Sequence, residues 1–123
     1  MDVMEFREYC LSLPLAEEST PFDETTLVYK VGGKMFACAD MVDFAGISLK
    51  CEPSKAIELR EQYPDQVVPG FHFNKRHWNT VHIGGDLSDR LIKEWIRDSY
   101  LLVVEKLPKV RRWEIMDALG DFL

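Results

Sequence analysis

The feature that most constrains the fold is the dipeptide Gly32-Gly33, which separates two short runs of strand-forming residues. Both central positions of a two-residue hairpin turn often require positive φ, which glycine adopts without steric cost. The flanking runs 27–31 and 34–39 are rich in β-branched, aromatic and other apolar residues, as in strands. A third run, 47–51, alternates cleanly after a second turn region, so the sequence predicts a three-stranded antiparallel meander.

Apolar residues with a helical period lie on both sides of this meander. Asp2 and Glu5 resemble a capping box at the start of a first helix, and Pro53 suits the first turn of a second one. Asp86 and Ser88 are candidate N-caps of a long third helix. The predicted helices cover 3–12, 53 to Pro64, 87–106 and about 109–119.

The fold class follows from the order of these elements. A fourth alternating run, 77–83, gives the order helix, three strands, helix, strand and two helices. At 123 residues the chain is expected to form one domain spanning 1–123. We therefore predict an α+β, two-layer fold, in which an antiparallel sheet of about four or more strands carries helices on one face. The last helix is predicted to pack through Val110, Trp113, Met116 and Leu119.

Side-chain alternation divides the predicted strands between two faces. One set is apolar and suits the face under the helices. The other set combines cations with two aromatic rings, and Phe36 and Trp78 are either exposed there or covered by the loops 15–26 and 65–74. These two alternatives stay open from sequence alone. The residues assigned to the open face are Lys30, Lys34, Phe36, Ser48, Lys50, Trp78, Thr80 and His82.

Charge and cysteine usage bound the function. The net charge of −6 argues against strong non-specific attraction to nucleic acid, but the acidity is concentrated in residues 1–29 and leaves room for a basic face further along. Cys10, Cys38 and Cys51 are odd in number and widely spaced, which favours reduced thiols. With no secretory signal and no apolar run long enough to span a bilayer, we expect a cytoplasmic protein, without membrane contact and monomeric.

No complete catalytic or metal-binding pattern is present. The histidines, His72, His77 and His82, are spaced by five, and odd spacing on a strand points side chains to opposite faces. Catalysis by a cysteine needs a histidine within reach, and the sequence favours small, buried, apolar roles for the cysteines. Gly84-Gly85 lacks the glycine-rich phosphate fingerprint. We therefore expect no enzyme activity, no catalytic residue, no metal and no cofactor.

Several stretches, in order and spread over nearly the whole chain, resemble the MmcQ/YjbR family of small bacterial proteins. They are Lys30 to Phe36, Leu49 to Pro53, Pro69-Gly70 with His72, Asn74 and Lys75, His77 to Val81, Ser99-Tyr100, Leu102-Val103 and Leu107-Pro108. The resemblance implies a CyaY-like α+β fold with an antiparallel sheet. It also implies the label of DNA binding, which is attached to the family because its paired hairpins look like a double wing.

Two functional hypotheses follow. The first is a non-enzymatic module that binds DNA weakly and in a salt-dependent way, with lysines on phosphates and aromatic rings as stacking surfaces. The second is a protein- or small-ligand-binding module that uses the same sheet face. The candidate binding residues are Lys30, Lys34, Phe36, Lys50, His72, Asn74, Lys75, Arg76, His77 and Trp78.

The segment from Pro69 to Trp78 has two interpretations of its own. It is either a recognition loop behind a rigid Pro-Gly entrance or a connection tied down by its own polar groups. In the second interpretation, His72, Asn74, His77 and Asn79 bond to backbone, and this interpretation is slightly favoured because so long a loop needs anchors.

Overall fold

The computed structural model describes residues 1–70 and 73–122, with side chains up to residue 120. Within these ranges the chain forms four helices and six strands. In chain order they are α1 Val3–Ser12, β1 Glu17–Ser19, β2 Thr26–Val31, β3 Lys34–Asp40, β4 Gly46–Lys50, α2 Pro53–Gln62, β5 Val67–Pro69, β6 Trp78–His82, α3 Asp89–Glu105 and α4 Lys109–Phe122.

The six strands form one antiparallel sheet in the order β1-β2-β3-β4-β6-β5. The four predicted strands are confirmed within one residue at each end, and the hairpin turn has positive φ at both Gly32 (58°) and Gly33 (80°). The edge strands β1 and β5 were missed. Each has only three residues, too few to show an alternating pattern, and β5 lies inside the segment predicted as a loop.

The helices cover one face of the sheet, as predicted. A single buried core takes Phe6 from α1, Leu59 from α2 and Ile96 from α3, together with the inward side chains of the strands. The Phe6 ring packs edge-on against the strand residue Tyr29 with centroids 5.3 Å apart. Trp95 on α3 is buried as expected, so the α+β two-layer class is confirmed.

Ser99 ties α3 to the sheet through two backbone groups. Its buried hydroxyl donates to the carbonyl oxygen of Phe36 at 2.6 Å and accepts from the amide of Lys50 at 2.8 Å. A hydroxyl can serve both roles at once, which satisfies two strand groups that the ladder leaves free. The middle of α3 is thereby fixed over the start of β3 and the end of β4.

The prediction that Phe36 lies on the open face is wrong. Tyr29 pairs with Ala37 and Lys30 pairs with Met35, so Phe36 is the extra residue of a β-bulge. The bulge shifts the alternation of β3 by one residue and turns Phe36 into the core. There it is fully buried, and its ring meets that of Tyr100 edge-on at 5.3 Å.

Two details of the helices also differ from the predictions. The N-cap of α3 is Ser88, whose hydroxyl accepts from the amide of Leu91, and not Asp86. On α4, the predicted stripe of Val110, Trp113 and Met116 is exposed, whereas Ile115 and Leu119 are buried. This helix carries two apolar stripes, and periodicity alone does not tell which of them meets the core.

Candidate functional site

The connections between strands emerge at two opposite ends of the sheet. We call one of them the hairpin end, because it holds the Gly32-Gly33 turn, the exit of β4 and the entry to β6. The C-terminus of α3 is at the same end, since Leu107 lies against Gly32. We call the opposite end the acidic end; its connections are 20–25, 41–45, 63–66 and 83–88.

Charges are sorted between these two ends. The connections of the acidic end hold five carboxylates and no Lys or Arg, namely Asp23, Glu24, Asp43, Asp65 and Asp86. The hairpin end holds all five predicted Lys and Arg binding residues together with one lysine that sequence reasoning missed, although Glu17, Glu52 and Glu105 are also there. Its cations are Lys30, Lys34, Lys50, Lys75, Arg76 and Lys106.

Lys34 and Lys106 lie close enough to Lys50 for their charges to act on it. Burial, and then the positive charges of Lys106 and Lys34, lower the pKa of Lys50 below its usual value. Lys50 is half-buried, whereas Lys34 and Lys106 are exposed. In the described ranges none of these three ammonium groups forms an ion pair with a carboxylate. The cluster is therefore a place where an anion would relieve repulsion.

Trp78 does not offer a stacking surface. It pairs across the strands with Lys50, but it is only 8% exposed. The ring of Phe73 covers it at a centroid distance of 4.8 Å, and a Cβ on Gly70 would lie 2.8 Å from the Cβ of Trp78. Of the two alternatives for Trp78, the structure shows the covered one, with Gly70 and Phe73 of the predicted loop lying against the indole residue. Since Phe36 is in the core, neither predicted stacking aromatic is free.

The segment before β6 is anchored by polar contacts. The side-chain oxygen of Asn74 accepts from the amide of Arg76 at 2.9 Å. The backbone carbonyl oxygen of Asn74 accepts from the amides of His77 and Trp78. The carbonyl of His77 in turn accepts from the amide of Cys51 at 2.7 Å. Asn74 thus acts as a structural residue, while Lys75 and Arg76 stay exposed. His77 contributes backbone bonds to the anchor, but its buried side-chain Nδ1 has no hydrogen-bond partner among the described residues, so the expected bond from this side chain to backbone is not observed there. The predicted site residue His72 lies outside the described residues.

A second anchor was partly missed by sequence reasoning. Asn79, 3% exposed, donates to the carbonyl of Ala56 at 3.3 Å and accepts from Nε of Arg60 at 2.7 Å. Arg60 also donates to the carbonyls of Lys75 and Trp78. This residue therefore clamps α2 to the hairpin end. Only the three-dimensional approach of α2 to β6 reveals it, because nothing in its local sequence distinguishes it from a surface arginine.

An open cleft of about 310 Å³ separates α2 from α3 above β4 and β6. Sequence reasoning missed it, since helix spacing cannot be read from periodicity. Burial raises the pKa of the half-buried thiol of Cys51 in its wall. Burial and the nearby Glu94 also raise the pKa of Asp98. The lining residues are Leu49, Lys50, Cys51, Glu52, Lys55, Leu59, Asn79, Val81, Trp95, Asp98, Leu101, Leu102 and Glu105.

The thiols of the described chain are not activated as nucleophiles. Burial raises the pKa of all three thiols, that of Cys38 to about 11, so each is a poor nucleophile near neutral pH. Within residues 1–70 and 73–122, no three or more His, Cys, Asp or Glu side chains converge as metal ligands would. No helix in these ranges combines the length and the apolar character needed to cross a bilayer.

Comparison with known proteins supplies the family. The YjbR family model matches residues 11–102. The chain is 37% identical to the protein YjbR of Escherichia coli strain K12 over 113 residues, covering 91% of this chain and 95% of YjbR. It is 36% identical to the protein YbdF of Escherichia coli O157:H7 over 104 residues, covering 84% of each.

Two solved structures share the fold. The Deinococcus radiodurans protein DR2400, of family-model domain DUF419, matches with a TM-score of 0.86 and 41% identity, covering 93% of this chain and 87% of that one. A Pseudomonas syringae protein matches with a TM-score of 0.70 and 24% identity, covering 83% of this chain and 98% of that one. This second likeness concerns the fold alone.

Proposed function

The chain belongs to the YjbR family, and from this premise we propose that it is a non-enzymatic module that binds nucleic acid weakly through the cations of its hairpin end. The observation that carries the proposal is the convergence of Lys34, Lys50 and Lys106 without a carboxylate partner in the described ranges. A phosphodiester backbone supplies anions at short regular intervals, which such a cluster can neutralise.

The separation of carboxylates and lysines between the two ends of the sheet also supports nucleic acid as the partner. A chain of net charge −6 repels nucleic acid on average, but the carboxylates concentrated at the acidic end are a sheet length away from the lysine cluster. At physiological ionic strength the Debye length is about 8 Å, so the two ends act nearly independently. The charge separation would also orient the protein, hairpin end first, as it approaches a polyanion.

The number of available cations limits the expected affinity for nucleic acid. Three to five lysine and arginine contacts, without aromatic stacking, support a Kd in the micromolar range or weaker. Binding of this kind reads phosphates and carries little base specificity. The raised thiol pKa values are consistent with a binding role rather than nucleophilic catalysis.

Fluorescence anisotropy with labelled single- and double-stranded oligonucleotides tests the proposal. Between about 50 and 200 mM salt, three to five phosphate contacts should weaken binding to duplex roughly 40- to 500-fold. Salt-sensitive binding of this size supports the proposal. Absence of binding at about 50 mM salt, or an affinity that salt does not change, would rule it out.

A further inference from the structure

The cleft between α2 and α3 has the make-up of a small-molecule site. Its floor is apolar and buried, with Leu49 from β4 and Val81 from β6, and its walls bring Leu59 from α2 against Leu102 from α3. Ligand pockets typically enclose about 300–1,000 Å³ with mostly apolar walls and a few polar groups. At about 310 Å³ the cleft has room for a body the size of one aromatic ring with a short chain.

Trp95 closes one side of the cleft and is held rigidly. Its ring meets that of Tyr63 at the end of α2 edge-on, with centroids 5.3 Å apart. The Asn79 anchor fixes α2 to the sheet and the Tyr63 ring links the end of α2 to α3, so the cleft does not close by a simple shift of α2. A preformed apolar wall binds a ring without a large ordering cost.

The polar groups of the cleft differ in their access to water. Three carboxylates line it, Glu52, Asp98 and Glu105, and all three residues are exposed. Lys55 is exposed as well and lies near Asp98. The positive charge of Lys55 lowers the pKa of Asp98 and so partly opposes the effect of burial. By exposed area Lys50 is the half-buried charged residue of this lining, although burial also disfavours the charge of Asp98. A counter-ion would benefit Lys50 more than it would benefit the exposed Lys55.

We propose that this cleft binds a small organic anion with an apolar body, the body lying against Trp95 and Leu102 and the carboxylate or phosphate pairing with Lys50. The lowered pKa of Lys50 fits this arrangement, because an anion would restore the stability of its charged form. The binding itself does not depend on nucleic acid. One consequence does rest on the proposed function: since Lys50 serves both sites, an occupied cleft would weaken oligonucleotide binding.

Three probes with the same body and different heads test the charge preference, namely 3-phenylpropionate, 3-phenylpropanol and 3-phenylpropylamine. Each is titrated into the ¹⁵N-labelled full chain without oligonucleotide, and the Trp95 indole and Cys51 amide signals are followed. The propionate should bind at least about tenfold more tightly than the alcohol, and the amine more weakly than either. In Lys50→Gln the preference for propionate over alcohol should disappear, while weak binding of the alcohol persists.

Lys93→Gln is the matched control, because Lys93 lies outside the cleft, near the ring of Tyr9 on the other side of α3. This variant should keep the preference for propionate. Equal affinity for acid and alcohol, a preference for the amine, shifts confined to residues outside the cleft, or no binding of any probe at millimolar concentration would each overturn the proposal. Because the titration contains no nucleic acid, its failure would leave the proposed function standing, and the reverse also holds.

Discussion

The two ends of the sheet are made by the same six strands, yet their charged residues have different roles in the structure. At the acidic end, carboxylates form the turns: Asp23 accepts from the amides of Thr25 and Thr26, and Asp40 accepts from the amides of Val42 and Asp43. Short acidic side chains commonly stabilise turns in this way. Local structure therefore explains Asp23 and Asp40 without any partner.

The cations of the hairpin end have no comparable structural role. The turn there is made by two glycines, and the clamp is made by Arg60 and Asn79. In the described ranges, the ammonium groups of Lys34, Lys50 and Lys106 form no ion pair with a carboxylate, and burial, Lys106 and Lys34 lower the pKa of Lys50. The proposed function therefore rests on where the charges lie and not on the net charge of −6. Asp23 and Asp40 have structural roles at one end, whereas the lysine cluster at the other end is the proposed contact for an external anion.

The largest expected effect comes from removing the lysine cluster. The triple variant Lys34→Gln, Lys50→Gln, Lys106→Gln should lose at least about tenfold in oligonucleotide affinity at low salt. For duplex its log-log salt slope should become shallower by roughly 2.7, since each neutralised phosphate contributes about 0.9. Anisotropy titrations at several salt concentrations measure both quantities.

A second triple variant, on the outer face of α3, is the control for the change in net charge. Arg90, Lys93 and Arg97 line a shallow groove there beside Tyr9. Replacing all three with Gln changes net charge equally, yet it should reduce affinity far less and leave the salt slope nearly unchanged. If both triples weakened binding to the same degree, bulk charge and not the hairpin end would be responsible.

Turn glycines at the two ends offer a matched test of rigidity. Gly33 and Gly84 both have positive φ, 80° and 92°, and a Cβ on either would meet no atom within 4 Å. Gly33→Val should cost about 1–2 kcal/mol of unfolding free energy, because a β-branched residue is strained in the left-handed region and the two-residue turn cannot relax. Gly84→Val should cost less, since Gly84 lies in a longer connection. Urea denaturation compares the two.

Oligonucleotide affinity of folded Gly33→Val should match that of the wild type. A drop in affinity at unchanged stability would instead make the glycine turn itself a contact surface.

Single charge removals should change stability in opposite directions at the two ends. Asp40→Ala should lower the unfolding free energy by about 1 kcal/mol, because two backbone amides lose their acceptor. Asp40→Asn keeps an acceptor oxygen and should stay close to wild type. Lys106→Gln should raise stability at low salt by no more than about 0.5 kcal/mol, the usual range for surface substitutions. Thermal melts in low and high salt measure these changes in stability. A destabilised Lys106→Gln variant would contradict the expected repulsion between Lys106 and the other lysines of the cluster.

The smallest effect is a difference in pH dependence. Hydrogen bonds from Thr25 and Thr26 lower the pKa of Asp23, so its stabilising effect is present above its unfolded pKa of 3.8 and is lost as pH falls through the folded value. Burial and Glu94 raise the pKa of Asp98, so its charged form is unfavourable at neutral pH and relief comes as the pH falls. At pH 7, Asp23→Asn should lower the Tm and Asp98→Asn should not.

Both differences from wild type should shrink as the pH approaches 3, where the carboxyls are increasingly protonated. A Tm difference for Asp23→Asn that stays constant across this range would show that geometry, and not charge, carries the effect.

Sequence reasoning succeeded where one local rule decided the outcome. The glycine hairpin, the four alternating strands, the Asp2 cap and the burial of Trp95 all follow from short-range patterns. It failed where a tertiary detail overrode the pattern. The bulge at Phe36 reversed the predicted face, and Phe73 covered Trp78, so the aromatic half of the predicted site is absent from the surface.

The cationic half of the predicted site was only partly visible in the sequence. Strand parity placed Lys34 and Lys50 on the open face, but the bulge moves Lys34 to the other face, where it pairs with the core residue Val31. Lys106 follows a helix more than fifty residues later and joins them only in the fold. The cleft and the Arg60 clamp were missed for the same reason. Long-range approach of helices depends on packing, which no residue spacing within one element encodes.

The central claim is that the hairpin end, and not the acidic end, meets nucleic acid. Chemical-shift mapping of the ¹⁵N-labelled chain with a short DNA duplex at about 50 mM salt tests it residue by residue. We predict shifts at the amides of Gly33, Lys34, Lys50 and Lys106 that disappear at about 200 mM salt, with the amides of Asp43 and Asp86 unchanged. Shifts centred on the acidic end or on the outer face of α3, or none at saturating duplex, would contradict the account.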